Sequence, residues 1–273
     1  MIRKRGYQNK KNIVVTGSEG FIGSNLVPSL VASGHNVMAN DLRYGQTIFG
    51  STFEDQVKKS DIVYHLAAIT SVSHSFKNPE QVYMTNVMGT ARVAYLCQKY
   101  HKKLIYPSSA AVYHPELSPY ADSKRMAEEI VHTLIPGTPT VILRLYNVFG
   151  PGMNPNSGSI MYNFLHNKEI LVYGDGEQTR DYVHVRDVVS IMEAAMSPSW
   201  DGATVEVGTG ESYSVNYVAS LFAYHRKLKV TYEKPAREIK WSTADITMLR
   251  KLYKKKLTTS IDYDIYELCQ KHQ

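Results

Sequence analysis

The stretch NIVVTGSEGFIGSNL, Asn12–Leu26, decides the fold. Asn12–Thr16 is a short β-branched run without polar alternation, the mark of a strand buried on both faces. Gly17, Gly20 and Gly23 follow at once, and a helical pattern then runs from Gly20 to Ser33 and stops at Gly34. Each glycine has a physical task in that order of elements. Gly17 permits the tight turn, Gly20 lets the backbone approach a pyrophosphate, and Gly23 lets helix and strand pack closely. The unbonded N–H groups of the first helical turn then face the phosphates. Strand, glycine loop and helix together predict dinucleotide binding.

Further along, short apolar runs recur at Asn36–Asn40, Asp61–Ala67, Lys103–Pro107 and Thr140–Leu145. Helical patterns fill the gaps at Gln81–Tyr100 and Tyr120–Leu134. Strand–helix alternation implies right-handed crossovers and a parallel sheet covered on both faces. The expected class is therefore α/β, a Rossmann-type doubly wound parallel sheet. After Gly150 the rhythm changes, and GPGMNPNSGS reads as a loop. Residues 1–150 are expected to form the dinucleotide-binding domain, with 175–200 returning to it. Residues 151–273 are expected to form mainly a smaller mixed α/β substrate lobe, with the site in the cleft between.

Composition narrows the class. The chain is that of an ordinary globular protein, with no apolar run long enough to span a bilayer. Its basic start, MIRKRGYQNKKN, lacks the apolar core of a secretory signal and reads as a solvated arm. Cys97 and Cys269 show no metal spacing, and a reduced cytoplasmic setting is the expectation. The net charge of +6 suits an anionic small molecule, because neither zinc-finger spacing nor an RNA-binding aromatic motif accompanies it. No nucleic acid, membrane or metal partner is expected.

The chemistry lies in PSSAAVYHPELSPYADSK, Pro107–Lys124. Tyr120 and Lys124 stand at i and i+4 and share one helical face. An ammonium beside a phenol favours the phenolate, which predicts a lowered phenol pKa and a general base for an alcohol. Ser109, at the end of the fourth strand, is placed to hydrogen-bond the same alcohol oxygen. Asp41 follows the second strand, where a carboxylate accepts from ribose hydroxyls and repels a 2′-phosphate. NAD is therefore favoured over NADP, although Arg43 offers the latter a cation.

These motifs, with HLAA (His65–Ala68), TNVMGT (Thr85–Thr90), LRLYNVFGPG (Leu143–Gly152), GDGEQTRDYVHVRDV (Gly174–Val188) and VGTG (Val207–Gly210), resemble the NAD-dependent sugar epimerase/dehydratase family of extended short-chain dehydrogenases/reductases. The resemblance covers most of the chain, in family order. It implies a catalytic trio of Ser109, Tyr120 and Lys124. It implies a cofactor site from Gly17, Gly20, Phe21, Ile22, Gly23, Asp41, Leu42, Arg43, Leu66, Ala67, Ala68, Asn86, Ser108 and Tyr146, with Tyr120 and Lys124. It assigns the nucleotide sugar, a UDP-sugar foremost, to Ser109, Asn147, Leu171, Tyr173, Arg180 and Arg237. A homodimer is a further implication, and Val93, Cys97, Ile130 and Leu134 could serve either its interface or the core.

Departures from the family pattern carry information. Dehydratases resemble a Thr-Asp-Glu arrangement after the strand, and decarboxylating members tend to keep a glutamate there. Here Ala110 and Ala111 occupy those slots, and a methyl group moves no proton. A 4-epimerase needs neither acid nor base at those positions. Reduction of a keto sugar is equally compatible, and a non-catalytic dinucleotide- or RNA-binding relative stays open. The connection from His114 to Pro119 and the segment between Asp41 and Asp61 are both short. His65 and His184 read as structural, and His74 as a loop residue near the expected nicotinamide.

Overall fold

The β-branched runs become strands where the sequence places them. The computed structural model describes residues 10–134, 136–235 and 239–272, so the expected arm at 1–9 lies outside the described residues. In chain order the first half holds β1 (Asn12–Thr16), α1 (Phe21–Ala32), β2 (Asn36–Asn40), α2 (Ser51–Lys59), β3 (Ile62–His65), α3 (Val72–Lys77), α4 (Pro79–Tyr83), α5 (Gly89–Lys99), β4 (Lys103–Ser109), α6 (Pro119–Leu134) and β5 (Thr140–Leu145). The second half holds β6 (Asn147–Phe149), α7 (Ile160–His166), β7 (Ile170–Tyr173), β8 (Thr179–His184), α8 (Val185–Ala194), β9 (Thr204–Val207), β10 (Ser212–Ser214), α9 (Val215–Arg226), β11 (Val230–Glu233), β12 (Trp241–Ser242), α10 (Thr247–Leu252) and α11 (Ile261–Lys271).

The main sheet runs β2-β1-β3-β4-β5-β9, with every neighbouring pair parallel. Its strands are apolar throughout because both faces are covered. Ile13 and Val15 pack with Leu26 and Leu30 of α1 and with Val188 and Ile191 of α8. Val14, between them, packs with Phe53 of α2, Leu96 and Cys97 of α5 and Val131 of α6. The order reverses between β1 and β3, and in such sheets ligands bind where the carboxyl ends diverge. Between β2 and β3 the chain makes a short turn at Leu42–Tyr44 and then α2, so β2 remains the sheet edge.

Past β5 a second core forms around Phe149, Phe164, Val172, Phe222 and Ile265. Two small sheets frame it, β10-β8-β12 with β6 on β8, and β11-β7. The chain returns to the main body through α8 and β9. Buried Asp187 at the start of α8 accepts from the backbone and hydroxyls of Thr258 and Thr259, and Arg186 pairs with Asp264 of α11 at 2.7 Å. These bonds fasten the second core to the first.

The helix expected over Gln81–Tyr100 is interrupted. A π turn at Met84–Met88 separates α4 from α5. Asn86 sits in that turn, accepting from Ile69 N at 2.8 Å and donating to Ile69 O and Ser123 Oγ. These tertiary bonds, rather than local propensity, account for a π turn, which commonly marks a functional position. Val93 and Cys97 are fully buried and belong to the core. Cys97 and Cys269 are buried free thiols. Among the described residues no helix is long and apolar enough to cross a membrane, and no group of three or more His, Cys, Asp or Glu is placed to hold a metal ion.

Candidate active site

The glycine loop is pressed into the sheet. Gly17 has φ +66°, and a Cβ there would stand 2.7 Å from the backbone nitrogen of Ala67. At Gly23 a Cβ would stand 2.3 Å from the carbonyl oxygen of Gly17. Only glycine lets the first turn of α1 lie this close to the loop. Among the described residues no side chain caps that turn, so its leading N–H groups remain available to a ligand. Ser18 Oγ in the loop and Ser108 Oγ in the cleft wall are buried hydroxyls with no partner among the described residues. Asp41 steadies the loop, accepting from Glu19 N and Arg43 N, each at 3.0 Å.

Ser109 ends β4, and its Oγ accepts from Ala111 N at 3.1 Å, which starts the tight turn Ala110–Tyr113. Tyr120 lies in the first turn of α6, entered through Ser118, whose Oγ accepts from Ala121 N. Lys124, one turn on, is 4% exposed. Its ammonium donates to Pro107 O at 2.9 Å and to the Tyr106 hydroxyl at 3.2 Å. Burial lowers its pKa to about 8, with Glu128 opposing.

Here the structure corrects the expectation for the phenol. Tyr120 is raised, not lowered: burial dominates, and a hydrogen bond with Ser109 opposes it. The i, i+4 spacing sets the shared face but not the ammonium's direction, and the Lys124 hydrogen bonds go to β4. Proton abstraction therefore needs a stabilising change when the cleft fills.

One cleft of about 260 Å³ gathers Gly17, Gly20, Phe21, Ile22, Gly23, Leu66, Ala68, Ser108, Ser109, Tyr120, Lys124 and Tyr146. A second cavity of about 480 Å³ gathers Asn147, Leu171, Tyr173 and Arg180. The two share walls at Thr70, Tyr146, Val148 and Ser157 and so form one groove. Asn147 is held by its bond to Asp181 O, and the Tyr146 hydroxyl donates to Glu206 at 2.6 Å, which fixes its ring in the wall.

Other expected residues stand outside the lining. Ala67 backs Gly17 and donates its N–H to Thr16 Oγ1. Asp41, Leu42 and Arg43 stand at the end of β2, with Leu42 exposed. Asn86 supports Ile69 from behind. Arg237 lies outside the described residues. His74 bonds Gln81 and is not a lining residue. His65 is packed between Thr16 and Thr90, with its pKa lowered to about 3 chiefly by burial, so it stays neutral. His184 Nδ1 accepts from Arg186 N and caps α8. Sequence reading missed Thr70, Asn154, Ser157 and Gln178, which line the groove. Asn154 and Ser157 sit in the turn-rich GPGMNPNSGS stretch, whose only signal was its loop composition.

Glycine loop, switch point and Ser–Tyr–Lys set in one cleft define a Rossmann-type α/β protein built to bring a dinucleotide to a substrate. The model of the NAD dependent epimerase/dehydratase family matches residues 13–208, and the chain belongs to that family of nucleotide-sugar enzymes. A UDP-N-acetyl-alpha-D-glucosaminuronate decarboxylase of Bacillus cytotoxicus is 28% identical over 89% of this chain and 92% of its own. Among solved structures, MoeE5 in complex with UDP-glucose and NAD is 28% identical, with a TM-score of 0.85 over 95% of this chain and 97% of its own. A UDP-glucuronic acid 4-epimerase from Bacillus cereus, bound to UDP-glucuronic acid and NAD, is 25% identical, with a TM-score of 0.84 over 95% and 99%.

Proposed function

We propose that this protein is a nucleotide-diphosphate-sugar 4-epimerase that works with tightly bound NAD. The observation that carries the reading is the placement of Ser109, Tyr120 and Lys124 on one wall with the glycine loop, followed by the methyl groups of Ala110 and Ala111. Elimination of water would call for an acid and a base at those two positions, and decarboxylating members of the family tend to keep a glutamate there. The Ser18 and Ser108 hydroxyls, without partners among the described residues, and the uncapped start of α1 fit a phosphate-bearing dinucleotide. The Asp41 carboxylate beside the loop favours NAD over NADP.

NAD, when bound, supplies a hydride acceptor and donor. The chain's own residues supply the rest. Tyr120 takes the proton of the sugar 4-hydroxyl, and Ser109 hydrogen-bonds the same oxygen. Lys124 holds the ribose, and the Ser109 hydrogen bond favours the phenolate that burial opposes. Leu171 and Tyr173 receive the base, while Asn147 and Arg180 hold the diphosphate sugar, with Arg237 as the second guanidinium. The 4-keto sugar turns in the groove and is reduced on its other face, so the cofactor ends unchanged.

Purified protein given UDP-glucose or UDP-galactose without added reductant should interconvert them. A panel of UDP-, dTDP- and GDP-sugars that yields no isomer would refute the reading. Stoichiometric consumption of NADH or NADPH would instead mark a keto-sugar reductase, which the alanines equally permit. The reading includes a homodimer, supported by the half-exposed Met84, Met88 and Tyr95 along one helical run, and a cytoplasmic setting, supported by two free thiols.

A further inference from the structure

A separate cavity opens at the amino-terminal end of the main sheet, opposite the cleft. It is walled by Lys11 just before β1, His35 just before β2, the Ser197–Trp200 turn after α8, and Lys254 and Lys255 after α10. Its volume is about 610 Å³, enough for a mononucleotide.

The donor set is unusual. His35 is 6% exposed, and its Nδ1 accepts from the backbone nitrogen of Lys11 at 3.2 Å. A ring nitrogen that accepts carries no proton, so Nε2 bears it. That N–H is buried and finds no acceptor among the described residues. A buried donor without a partner is costly, and a ligand oxygen would relieve it. Lys11, Lys254 and Lys255 belong to the same wall, and Lys254 Nζ also donates to Arg250 O at 3.5 Å. Glu193 is the carboxylate on the wall, and it already accepts from Ser29 Oγ at 2.6 Å. The turn is fixed in advance, because Lys103 Nζ bonds Ser197 O at 2.8 Å and Asp201 at 2.7 Å.

We propose that this cavity is a second binding site, for the phosphate group of a small molecule. His35 Nε2–H, enclosed in the wall, gives the phosphate a directed donor once the wall opens to it, and the charges of Lys11, Lys254 and Lys255 match that of the phosphate. Free inorganic phosphate and a mononucleotide share this chemistry, and the test distinguishes them.

The chain has two tryptophans, so Trp241→Phe leaves Trp200, in the cavity wall, as the sole reporter. That protein is titrated with inorganic phosphate and separately with adenosine monophosphate, followed by tryptophan emission and by calorimetry. Saturable binding of at least one probe is expected. Equal affinities would assign the site to free phosphate, and much tighter binding of the nucleotide would assign it to a mononucleotide. Lys254 and Lys255 are exposed, so Lys254→Ala with Lys255→Ala should fold and weaken binding roughly tenfold or more. His35→Phe should do the same, and His35→Gln, which keeps an N–H, should recover most of the loss. Absence of saturable binding by either probe and either method, or binding unchanged in both the double-lysine and His35→Phe proteins, would overturn the proposal.

Discussion

Substituting alanine at Gly23 tests the cradle in isolation, because the added methyl meets only backbone. It would stand 2.3 Å from Gly17 O, 2.7 Å from Ser18 O and 2.8 Å from Ser18 C. Ordinary contact needs about 1 Å more than the shortest of these. All three are backbone atoms, so no rotamer change relieves the contact and the loop must lift from α1. Overpacking of this kind costs about 1–3 kcal/mol, or about 2–10 °C in Tm for a chain of this size. The displacement falls on the amides proposed to hold the phosphates. Gly34→Ala is the control: its φ is +87°, yet a Cβ there would have no described residue within 4 Å. Strain alone should cost it about 1–2 kcal/mol and leave the cleft intact. Both variants should lose Tm in differential scanning calorimetry, but only Gly23→Ala should purify without dinucleotide, measured by absorbance after acid release. Equal dinucleotide content in Gly23→Ala and wild type would refute the reasoning.

The remaining predictions concern charge and support. Because burial lowers the Lys124 pKa to about 8, its ammonium is present below that pH and lost above it, so kcat should fall as pH rises through about 8. Lys124→Arg, which stays charged, should lack that basic limb whatever its absolute rate. Asn86→Ala removes the bonds to Ile69 N, Ile69 O and Ser123 Oγ and should cost about 2–4 kcal/mol in chemical denaturation, with reduced kcat. Asp41→Ala frees Glu19 N and Arg43 N and removes the charge that opposes a 2′-phosphate. It should narrow the preference for NAD over NADP at least tenfold in equilibrium binding.

The fold was largely legible because its signals are local. β1, β2 and β5 begin and end where their apolar runs do, and α1 stops before Gly34. Gly23 was readable because its close contact is with Gly17 and Ser18 in the same loop, whereas the Ala67 backbone that crowds Gly17 lies far along the chain. What escaped was decided by distant partners. The π turn at Met84–Met88 accompanies bonds from Asn86 to Ile69 and Ser123, which no helical periodicity records. The raised pKa of Tyr120 reflects burial, and the ammonium of Lys124 was free to choose between the phenol and β4 until the fold placed Pro107 O within reach. Asn154 and Ser157 entered the groove because the chain after β6 folds back over it, and turn composition does not say where a loop lies.

The most direct measurement follows one hydrogen. UDP-glucose carrying deuterium at C4 is incubated with the purified protein, without added cofactor, and the product is examined by mass spectrometry and NMR. If Tyr120 removes only the hydroxyl proton and the hydride returns to the same sugar, the 4-epimer should form with its deuterium retained at C4. The Tyr120→Phe protein should give none while still holding its dinucleotide. A 4-epimer that has exchanged its deuterium for solvent hydrogen, or undiminished turnover by Tyr120→Phe, would contradict the account.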